Sequence, residues 1–446
     1  MGYALDYLAK EIEKMKEQKL FRYPRVLHGR QLAKCVYDGK ELVNLSSNNY
    51  LGFANHPRMI AAAEKAVREL GAGSGAVRTI AGTMEGHTEL ERKIAKFKHT
   101  EAALVFQSGF TANSGTVSAV LGKNDIIISD ELNHASIIDG CRLSRAEIKV
   151  FRHADMQHLR ERLEECKEAM TKGAHVLVIT DGVFSMDGDI GKLDEMCKIA
   201  KEYGAITMVD DAHASGVLGR NGRGTVDHFN IHGQVDIQVG TLSKAIGVLG
   251  GYVAGSQTLI DYLIMRARPI LFSTSHPPAV TAACLEAFDL LEQEPWHMEK
   301  LWSNTKFFKE GLSHLGFDTG LSQTPITPVM VGDGAKTMKL SDRLFEEGVF
   351  VVGIAFPTVP VGKERVRTIV TAAHSQEDLE FALDKFEKVG KELGLIKGKG
   401  RSGRPREIPG CRLERIIDLR ARKWARMLKI ETELPKYGID IGMTKM

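Results

Sequence analysis

The chain has 446 residues, of which 43% are hydrophobic and 26% charged, values typical of a globular protein with a large buried core. Its net charge of +3 hides an asymmetry, because residues 397–429 contain 12 Lys and Arg against 3 Asp and Glu. The absence of an 18-residue apolar run and of a signal-peptide pattern argues against a membrane protein and predicts a cytoplasmic location. Six scattered Cys residues predict free thiols, with neither a metal site nor a disulfide framework.

Residues 1–45 are predicted to form an N-terminal helix and arm. Apolar and charged residues alternate over 1–20 as in an amphipathic helix, and an irregular basic stretch follows at 21–25. An Asn-rich loop at 47–52 precedes a helix that His56 and Pro57 open. Asn readily adopts turn conformations, so the Asn residues either serve only to form the turn or belong to a functional site.

Between about residue 100 and residue 270, short apolar runs alternate with amphipathic segments such as the predicted helix 192–203. The runs lack polar alternation, which indicates strands that are buried on both faces. This order predicts an α/β fold with a mostly parallel sheet and right-handed crossovers. The predicted strands are 103–106, 126–128, 176–179, 206–209 and 235–239.

Polar or small residues follow each of these runs. In a parallel α/β sheet, ligands bind beyond the carboxyl ends of the strands, so we expect these segments to meet at one edge. The turn at 107–113 opens a helix whose free amides suit a phosphate. The other strand-end segments are 130–136, 181–188, 210–213 and 240–245.

Lys244 follows small hydroxyl residues at the end of the last of these strands. A lysine there suits a Schiff base to an anionic aldehyde cofactor, although a Ser-Lys pair alone is usually solvated surface. Asp210, at the end of another run, supplies a carboxylate that suits a pyridinium nitrogen. Together they predict a cofactor site at this edge of the sheet.

The C-terminal part of the chain has a different character. We predict a large domain over 46–275, a smaller α+β domain over 276–394 and a basic extension over 395–446. An amphipathic basic helix at 412–429 would suit nucleic acid or an anionic surface. A helix packed on the protein, or a solvated appendage, is the favoured interpretation, so nucleic-acid binding is not expected.

Several of these segments, in this order, resemble the α-oxoamine synthases, which are pyridoxal 5'-phosphate (PLP) enzymes of fold type I that condense an amino acid with an acyl-CoA thioester. The resemblance spans roughly residues 1–394 and implies a large domain with a mostly parallel sheet, a smaller α+β domain and a homodimer with shared active sites. The matching segments are 47–52, 77–83, 133–140, 180–188, 209–213, 241–244 and 371–374.

The resemblance implies a catalytic role for four residues. Lys244 would bind the cofactor and move the α-proton of the amino acid. Asp210 would face the pyridine nitrogen, with Asp211 as the competing candidate. His134 would stack on the ring, and His213 would bond its phenolic oxygen.

The resemblance also implies further binding residues. The cofactor phosphate would be bound by Thr241, by the backbone of Gly109 and Phe110, by Ser108, and by Ser273 and Thr274 from the neighbouring subunit. Ser185 would lie beside the ring. The substrate-binding residues would be Asn48, Arg22 and Arg367, where only the resemblance favours Arg367 over Arg365 on the same strand face.

Among the family's reactions, the resemblance favours the condensation of glycine with acetyl-CoA to 2-amino-3-oxobutyrate, the glycine C-acetyltransferase reaction. The alternative is the condensation of alanine with a pimeloyl thioester in biotin synthesis, or a dual-substrate enzyme. Arg22 and Arg25 would hold the distal carboxylate of a pimeloyl chain, contact CoA phosphates, or be solvated. The sequence alone does not choose among these.

Overall fold

The computed structural model describes residues 4–17, 21, 23–356 and 358–397. Fourteen strands occur in this part of the chain: β1 (Leu27–His28), β2 (Lys34–Tyr37), β3 (Lys40–Asn44), β4 (Ala102–Phe106), β5 (Ile126–Asp130), β6 (Glu147–Phe151), β7 (Val176–Asp181), β8 (Ile206–Asp210), β9 (Ile237–Thr241), β10 (Gly251–Gly255), β11 (Ile326–Met330), β12 (Val349–Phe350), β13 (Val352–Ile354) and β14 (Arg365–Ile369).

Fifteen α-helices accompany them in the same ranges: α1 (Asp6–Glu17), α2 (Pro57–Leu70), α3 (Glu85–Lys98), α4 (Gly109–Val120), α5 (Ala135–Ser144), α6 (Met156–Glu164), α7 (Lys167–Thr171), α8 (Leu193–Tyr203), α9 (Thr225–His228), α10 (Gln257–Arg266), α11 (Arg268–Phe272), α12 (Pro278–Gln293), α13 (Trp296–Leu315), α14 (Gly334–Glu346) and α15 (Gln376–Glu392).

The central sheet has seven strands in the order β4-β10-β9-β8-β7-β5-β6. Strands β9, β8, β7, β5 and β6 are parallel neighbours, whereas β10 runs antiparallel to both β9 and β4. All five predicted strands are present, and the prediction of a mostly parallel α/β sheet is confirmed. Sequence patterning missed β10, which begins and ends with glycine, and β6, a largely exposed edge strand that includes Glu147 and Lys149.

Successive residues of the central strands contribute to two different cores. Ile127 and Leu177 pack on one face of the sheet with residues of α4 and α5. Their neighbours Ile128 and Val178 pack on the opposite face with residues of α6 and α8. Since both faces are covered by helices, the strands need apolar residues at every position, which explains the missing polar alternation.

The remaining strands form two smaller sheets, β11-β14-β13 and β1-β2-β3-β12. In the second, β3 pairs in parallel with β12, with Val43 opposite Val349. Val43 and Leu45 are buried with residues of α13, α14 and α15. The N-terminal hairpin therefore packs into the C-terminal core; domain limits at 45, 275 and 394 stay a prediction.

The predicted basic helix at 412–429 lies outside the described residues. Among the helices that are described, none combines the length and the apolar character that a membrane crossing requires.

His374 fixes the loop after β14 to the N-terminal hairpin. Its side chain is fully buried; Nδ1 accepts a hydrogen bond from the Thr371 amide at 3.0 Å, and Nε2 lies 3.1 Å from the Asn44 carbonyl oxygen. Burial lowers the pKa of His374 to about 4. The folded protein therefore holds this imidazole neutral at pH values where the unfolded chain protonates it.

His374 should contribute to acid lability. Stability should fall as the pH drops below about 6.5 and the loss should be complete near pH 4, with about 3 kcal/mol attributable to this group. His374→Gln should be less stable than wild type at pH 7, with a difference that shrinks by pH 4.5, measured by urea unfolding. His314→Gln, at an exposed position, is the control. If the free energy of unfolding of wild type and that of His374→Gln differ by the same amount at pH 7 and at pH 4.5, this prediction is contradicted.

Candidate active site

The carboxyl ends of the parallel strands bring the predicted site segments together. Asp181 at the end of β7 is in register with Asp210 at the end of β8. On the other side of the sheet centre, Gly251 of β10 is in register with both Thr241 and Phe106. The register thus places Thr241 beside the start of α4.

Close backbone approach shapes a small cradle at the start of α4. A Cβ on Gly251 would lie 2.4 Å from the Ser108 carbonyl oxygen, and one on Gly109 would lie 3.3 Å from the Thr241 Cβ. Glycine at these two positions lets Thr241 approach the helix N-terminus, where amides and a hydroxyl suit a phosphate.

The capping bonds of α4 show which donors this cradle offers. The Ser108 side chain accepts from the Thr111 amide at 3.1 Å and is therefore engaged as the helix cap. The Thr241 hydroxyl donates to the Gly250 carbonyl at 2.9 Å. Within the described residues no hydrogen bond is recorded for the Gly109 and Phe110 amides, so both are available to an anion. The residues fit the phosphate of PLP.

Asp210 and Asp211 are held in different environments. Asp210 accepts hydrogen bonds from Asn113 Nδ2 at 2.6 Å and from the Ala212 amide at 2.8 Å. Asp211 forms a fully buried ion pair with Lys98 at 2.8 Å and accepts a bond from the Thr225 hydroxyl at 2.5 Å. Because the carboxylate of Asp211 is occupied by Lys98, Asp210 is the candidate for the group that faces the pyridine nitrogen.

A chain of hydrogen bonds links His134 to Asp210. Asn113 Nδ2 donates to Asp210 and also to Ser136 Oγ at 3.0 Å. Ser136 Oγ lies 2.8 Å from His134 Nδ1, which also accepts from the Ser136 amide at 3.2 Å. With Nδ1 accepting, the ring proton of a neutral His134 is on Nε2. Burial, aided by the positive charge of Lys244 and opposed by Asp210, lowers the pKa of His134.

Lys244 lies in the loop after β9 and is half-buried. Its Nζ makes no hydrogen bond or ion pair with a side chain of the described residues. Burial lowers the pKa of Lys244 against the attraction of Asp210 and Asp181, and Arg367 lowers it further. A lowered pKa increases the fraction of neutral amine, which is the nucleophilic form that an aldehyde requires.

His213 is buried against Tyr50. Its Nδ1 lies 2.8 Å from the Tyr50 hydroxyl. Burial raises the pKa of Tyr50, so the phenol keeps its proton and can donate it to Nδ1. Burial, with the positive charge of Lys244 next in size, lowers the pKa of His213 well below its usual range. A neutral His213 of this tautomer presents an Nε2–H donor to a ligand.

The two arginines of β14 differ in their partners. Arg365 Nη1 forms an ion pair with Asp187 at 2.5 Å. Arg367 Nη1 donates to the Ser185 carbonyl at 3.1 Å, and no carboxylate of the described residues lies within 4.0 Å of its guanidinium. Arg365 is neutralised within the protein, whereas Arg367 retains its charge for a ligand.

Other predicted binding residues lie at varying distance from this centre. Asn48 has a buried Oδ1 without a hydrogen-bond partner. Ser273 and Thr274 accept bonds from Gln107 through their carbonyl groups, and in the described residues their side chains do not bond to the other predicted site residues. Arg22 lies outside the described residues. Arg25 pairs with Asp38 at 2.5 Å and stacks on Phe345.

Sequence reasoning missed three residues of the site. Tyr50 lies inside the Asn-rich loop, and its contact with His213 joins residues that are 163 positions apart. Asn113 is four residues into α4, which places it one turn below the cradle. Asp181 belongs to the predicted strand-end segment 181–188, but its buried position beside Asp210 follows only from the strand register.

Comparison with known proteins gives concordant results. Residues 40–386 match the family model "Aminotransferase class I and II". The chain is 60% identical over 391 residues to an 8-amino-7-oxononanoate synthase of Symbiobacterium thermophilum, covering 88% of this chain and 99% of the relative. A synthase of the same name from Thermoanaerobacter pseudethanolicus is 59% identical over 392 residues, with 88% and 98% covered.

Solved structures support the same fold. A serine palmitoyltransferase from S. paucimobilis, solved with PLP and myriocin, superposes with a TM-score of 0.83 at 33% identity, covering 88% of this chain and 98% of that one. An 8-amino-7-oxononanoate synthase from Francisella tularensis gives a TM-score of 0.67 at 28% identity, with 79% and 98% covered. The expected fold type I and the PLP cofactor are confirmed.

The expected glycine C-acetyltransferase reaction is wrong. Five curated relatives that are 55–60% identical over 88–89% of the chain are all named 8-amino-7-oxononanoate synthases. The error has a physical cause: the resemblance assigns Lys244, Asp210, His134 and the phosphate cradle to cofactor chemistry that glycine- and alanine-using enzymes would share. These residues therefore carry no information about the acyl chain.

The different environments of Asp210 and Asp211 predict different defects. Asp210→Asn should retain the wild-type unfolding midpoint and lose about 10²–10³-fold in kcat, the scale of removing one preorganised charge. Asp211→Asn should leave Lys98 without a counter-charge and lower the free energy of unfolding by about 3–5 kcal/mol. Steady-state kinetics and urea unfolding measure the two effects, and a larger loss of kcat per folded molecule in Asp211→Asn would contradict the assignment.

Proposed function

The chain belongs to the class I and II aminotransferase family of PLP-dependent fold-type I enzymes, and we propose that within it this protein is an 8-amino-7-oxononanoate synthase. It would join L-alanine to a pimeloyl thioester and release CO₂ and the free thiol. The coarser activity, that of a PLP-dependent acyltransferase of the α-oxoamine synthase type acting on an amino acid and an acyl thioester, is shared by its relatives. The observation that supports the finer one is 60% identity over almost the whole of a synthase of that name.

The residues of the site fit the cofactor. PLP, when bound, withdraws electrons from the α-carbon of an amino acid. Lys244 would hold it covalently, Asp210 would keep its ring nitrogen protonated, and His134 would cover one ring face. The amides of Gly109 and Phe110 would bind its phosphate, and the Thr241 hydroxyl would add a donor after it turns away from the Gly250 carbonyl. His213 would donate from Nε2 to its phenolic oxygen.

The lowered pKa of Lys244 suits this side chain to proton transfer. Once released from the cofactor by the incoming amino acid, its Nζ would take the α-proton and return a proton later in the cycle. Asp181 and Asp210 lie on the same side of the site and stabilise the ammonium form that results. The buried surroundings raise the free energy of that charge and so favour its return.

Arg367 would bind the carboxylate of the amino acid. Planar guanidinium groups bind carboxylates bidentately, and Arg365, which shares the strand face, already has Asp187 as its partner. The Asn48 side chain, whose Oδ1 is buried without a hydrogen-bond partner, would contribute next to this carboxylate. Arg22 remains a proposal for the distal carboxylate of the pimeloyl chain, while the ion pair with Asp38 argues against Arg25.

A homodimer with shared sites is part of the proposal. Phe272 is 71% exposed and Ile80 is 84% exposed, and Thr274 is exposed in the same segment as Phe272. Exposed apolar residues around a segment that carries hydroxyl groups suit contact with a second copy. Ser273 and Thr274 would then reach the phosphate of that copy.

The substrate assignment predicts a specific ranking. Each of glycine, L-alanine and L-serine is assayed with acetyl-, pimeloyl- and palmitoyl-CoA, and the release of CoA is measured. The pair of L-alanine and pimeloyl-CoA should give the highest kcat/KM. L-Alanine should exceed glycine by about tenfold or more, the scale of one methyl group in a fitted pocket. Lys244→Ala is the blank. A higher kcat/KM for L-serine with palmitoyl-CoA, or for glycine with acetyl-CoA, would overturn the assignment.

Arg367 predicts a separate effect on amino acid binding. Arg367→Lys keeps a positive charge but loses the bidentate geometry, so KM for L-alanine should rise about 10–100-fold. KM for pimeloyl-CoA should change by less. Arg365→Lys, on the same face of β14, is the matched control; because its partner is Asp187 and not the substrate, KM for L-alanine should stay close to the wild-type value. Equal effects of the two substitutions on KM would rule out the assignment.

A further inference from the structure

Three potential metal ligands, His56, Glu294 and His297, meet at the corner where α2 begins and α12 is followed by α13. His56 is the N-cap residue of α2, Glu294 the C-cap residue of α12, and His297 lies in the first turn of α13. One ring nitrogen of each histidine and one oxygen of the glutamate all lie within 4.8 Å of one another. In the described part of the chain, no other group of His, Cys, Asp or Glu has this arrangement.

Two of the three atoms already have the spacing of a metal site. His297 Nε2 lies 3.2 Å from Glu294 Oε2. Two ligands bound at about 2.0 Å to a tetrahedral zinc ion lie about 3.3 Å apart. The third ligand, a ring nitrogen of His56, needs an approach of at most about 1.5 Å, which a side-chain rotation supplies.

Ring nitrogens of both histidines at this corner have lone pairs available to a cation. His56 Nδ1 is buried and has no hydrogen-bond partner. His297 bonds to the backbone of Leu51 as well as facing Glu294. A neutral imidazole has a single N–H, so it satisfies only one of these two acceptors. When it donates to Leu51, a ring lone pair faces the carboxylate, which is the arrangement of a metal-binding histidine oriented by a backbone carbonyl.

We propose that His56, Glu294 and His297 bind one divalent transition-metal ion, with zinc as the best fit to two imidazoles and one carboxylate. Such a donor set prefers borderline metals over calcium or magnesium. His56 is partly exposed, so a solvent molecule can complete a four-coordinate shell from that side. The site is structural, since none of its ligands lies among the proposed catalytic residues.

The neighbouring charges are compatible with a cation. Arg58 Nη1 binds the other glutamate oxygen, Oε1, at 3.1 Å and leaves Oε2 to the metal. Arg58 is also paired with Glu286 at 2.5 Å, which offsets its repulsion of a second cation. Lys300 is a further positive neighbour of His297. Two carboxylates, Glu286 and Glu294, thus face two positive side chains, Arg58 and Lys300. The net local charge is close to zero before a metal binds, which favours a divalent ion over a more highly charged one.

The proposed metal would tie the start of α2 to the corner between α12 and α13. The same N-terminal segment carries Tyr50, whose hydroxyl contacts His213 in the candidate site. The Phe53 ring packs edge-on against His297 with centroids 4.9 Å apart. Metal loss should therefore lower the thermal stability of the holoenzyme first, and affect turnover only through this segment.

Zinc content tests the proposal. The untagged, PLP-loaded chain is stripped with a chelator, incubated with zinc sulfate, desalted and analysed by mass spectrometry for zinc per chain. Wild type should retain about one zinc ion. His56→Asn and Glu294→Gln should retain less than about a quarter of that. Asn is a favoured N-cap residue, so His56→Asn should fold even where Glu294→Gln does not; His99→Asn, at a histidine stacked on His232, is the control.

A second readout locates the ion. Trp296 stacks on His297 with ring centroids 3.6 Å apart, so cobalt(II) bound at the corner should quench its fluorescence. The quenching should be lost in Trp296→Phe and in His56→Asn and kept in His99→Asn. Wild-type chain without retained zinc, or equal zinc retention and equal quenching in wild type and His56→Asn, would overturn the proposal.

Discussion

Asp210, the last residue of β8, and Asp211, which follows it, bind different partners. The candidate site depends on this difference. Asp211 is taken up by Lys98 in a fully buried ion pair. That pair removes two charges that would otherwise compete with the ligand site. Asp210 is held instead by neutral donors, the Asn113 amide and the Ala212 backbone, so its negative charge remains available to a cationic ring nitrogen.

Hydrogen bonds that begin at Asp210 also orient the side chain of His134. Asn113 connects Asp210 to Ser136, and Ser136 connects to His134, so the ring that would cover the cofactor is oriented by the carboxylate that would bind its nitrogen. On the other side, Tyr50 fixes the tautomer of His213. Burial lowers the pKa of Lys244 in the middle of this arrangement. Neutral imidazoles and a readily deprotonated amine follow from low solvent access together with a small number of placed charges.

Much of the fold was predictable because parallel strands covered on both faces need apolar residues at successive positions, as in 126–128 of β5 and 176–179 of β7. The strand ends then indicated Asp210, His213 and Lys244 without any contact information. The antiparallel β10 was not predictable from its glycine-bounded sequence, and neither were Asn113 and Tyr50, whose partners are far away along the chain. Substrate choice was predicted wrongly, since most of the residues identified in the sequence are assigned to the cofactor common to the family and not to the acyl chain.

The position of the cofactor tests the account most directly. Reduction of the PLP-loaded protein with borohydride, followed by proteolysis and mass spectrometry, should place a single pyridoxyl group on the peptide that contains Lys244. Lys98, the fully buried lysine that pairs with Asp211, should be unmodified. A pyridoxyl group on Lys98 or on any other lysine, with Lys244 unmodified, would contradict the assignment of the site.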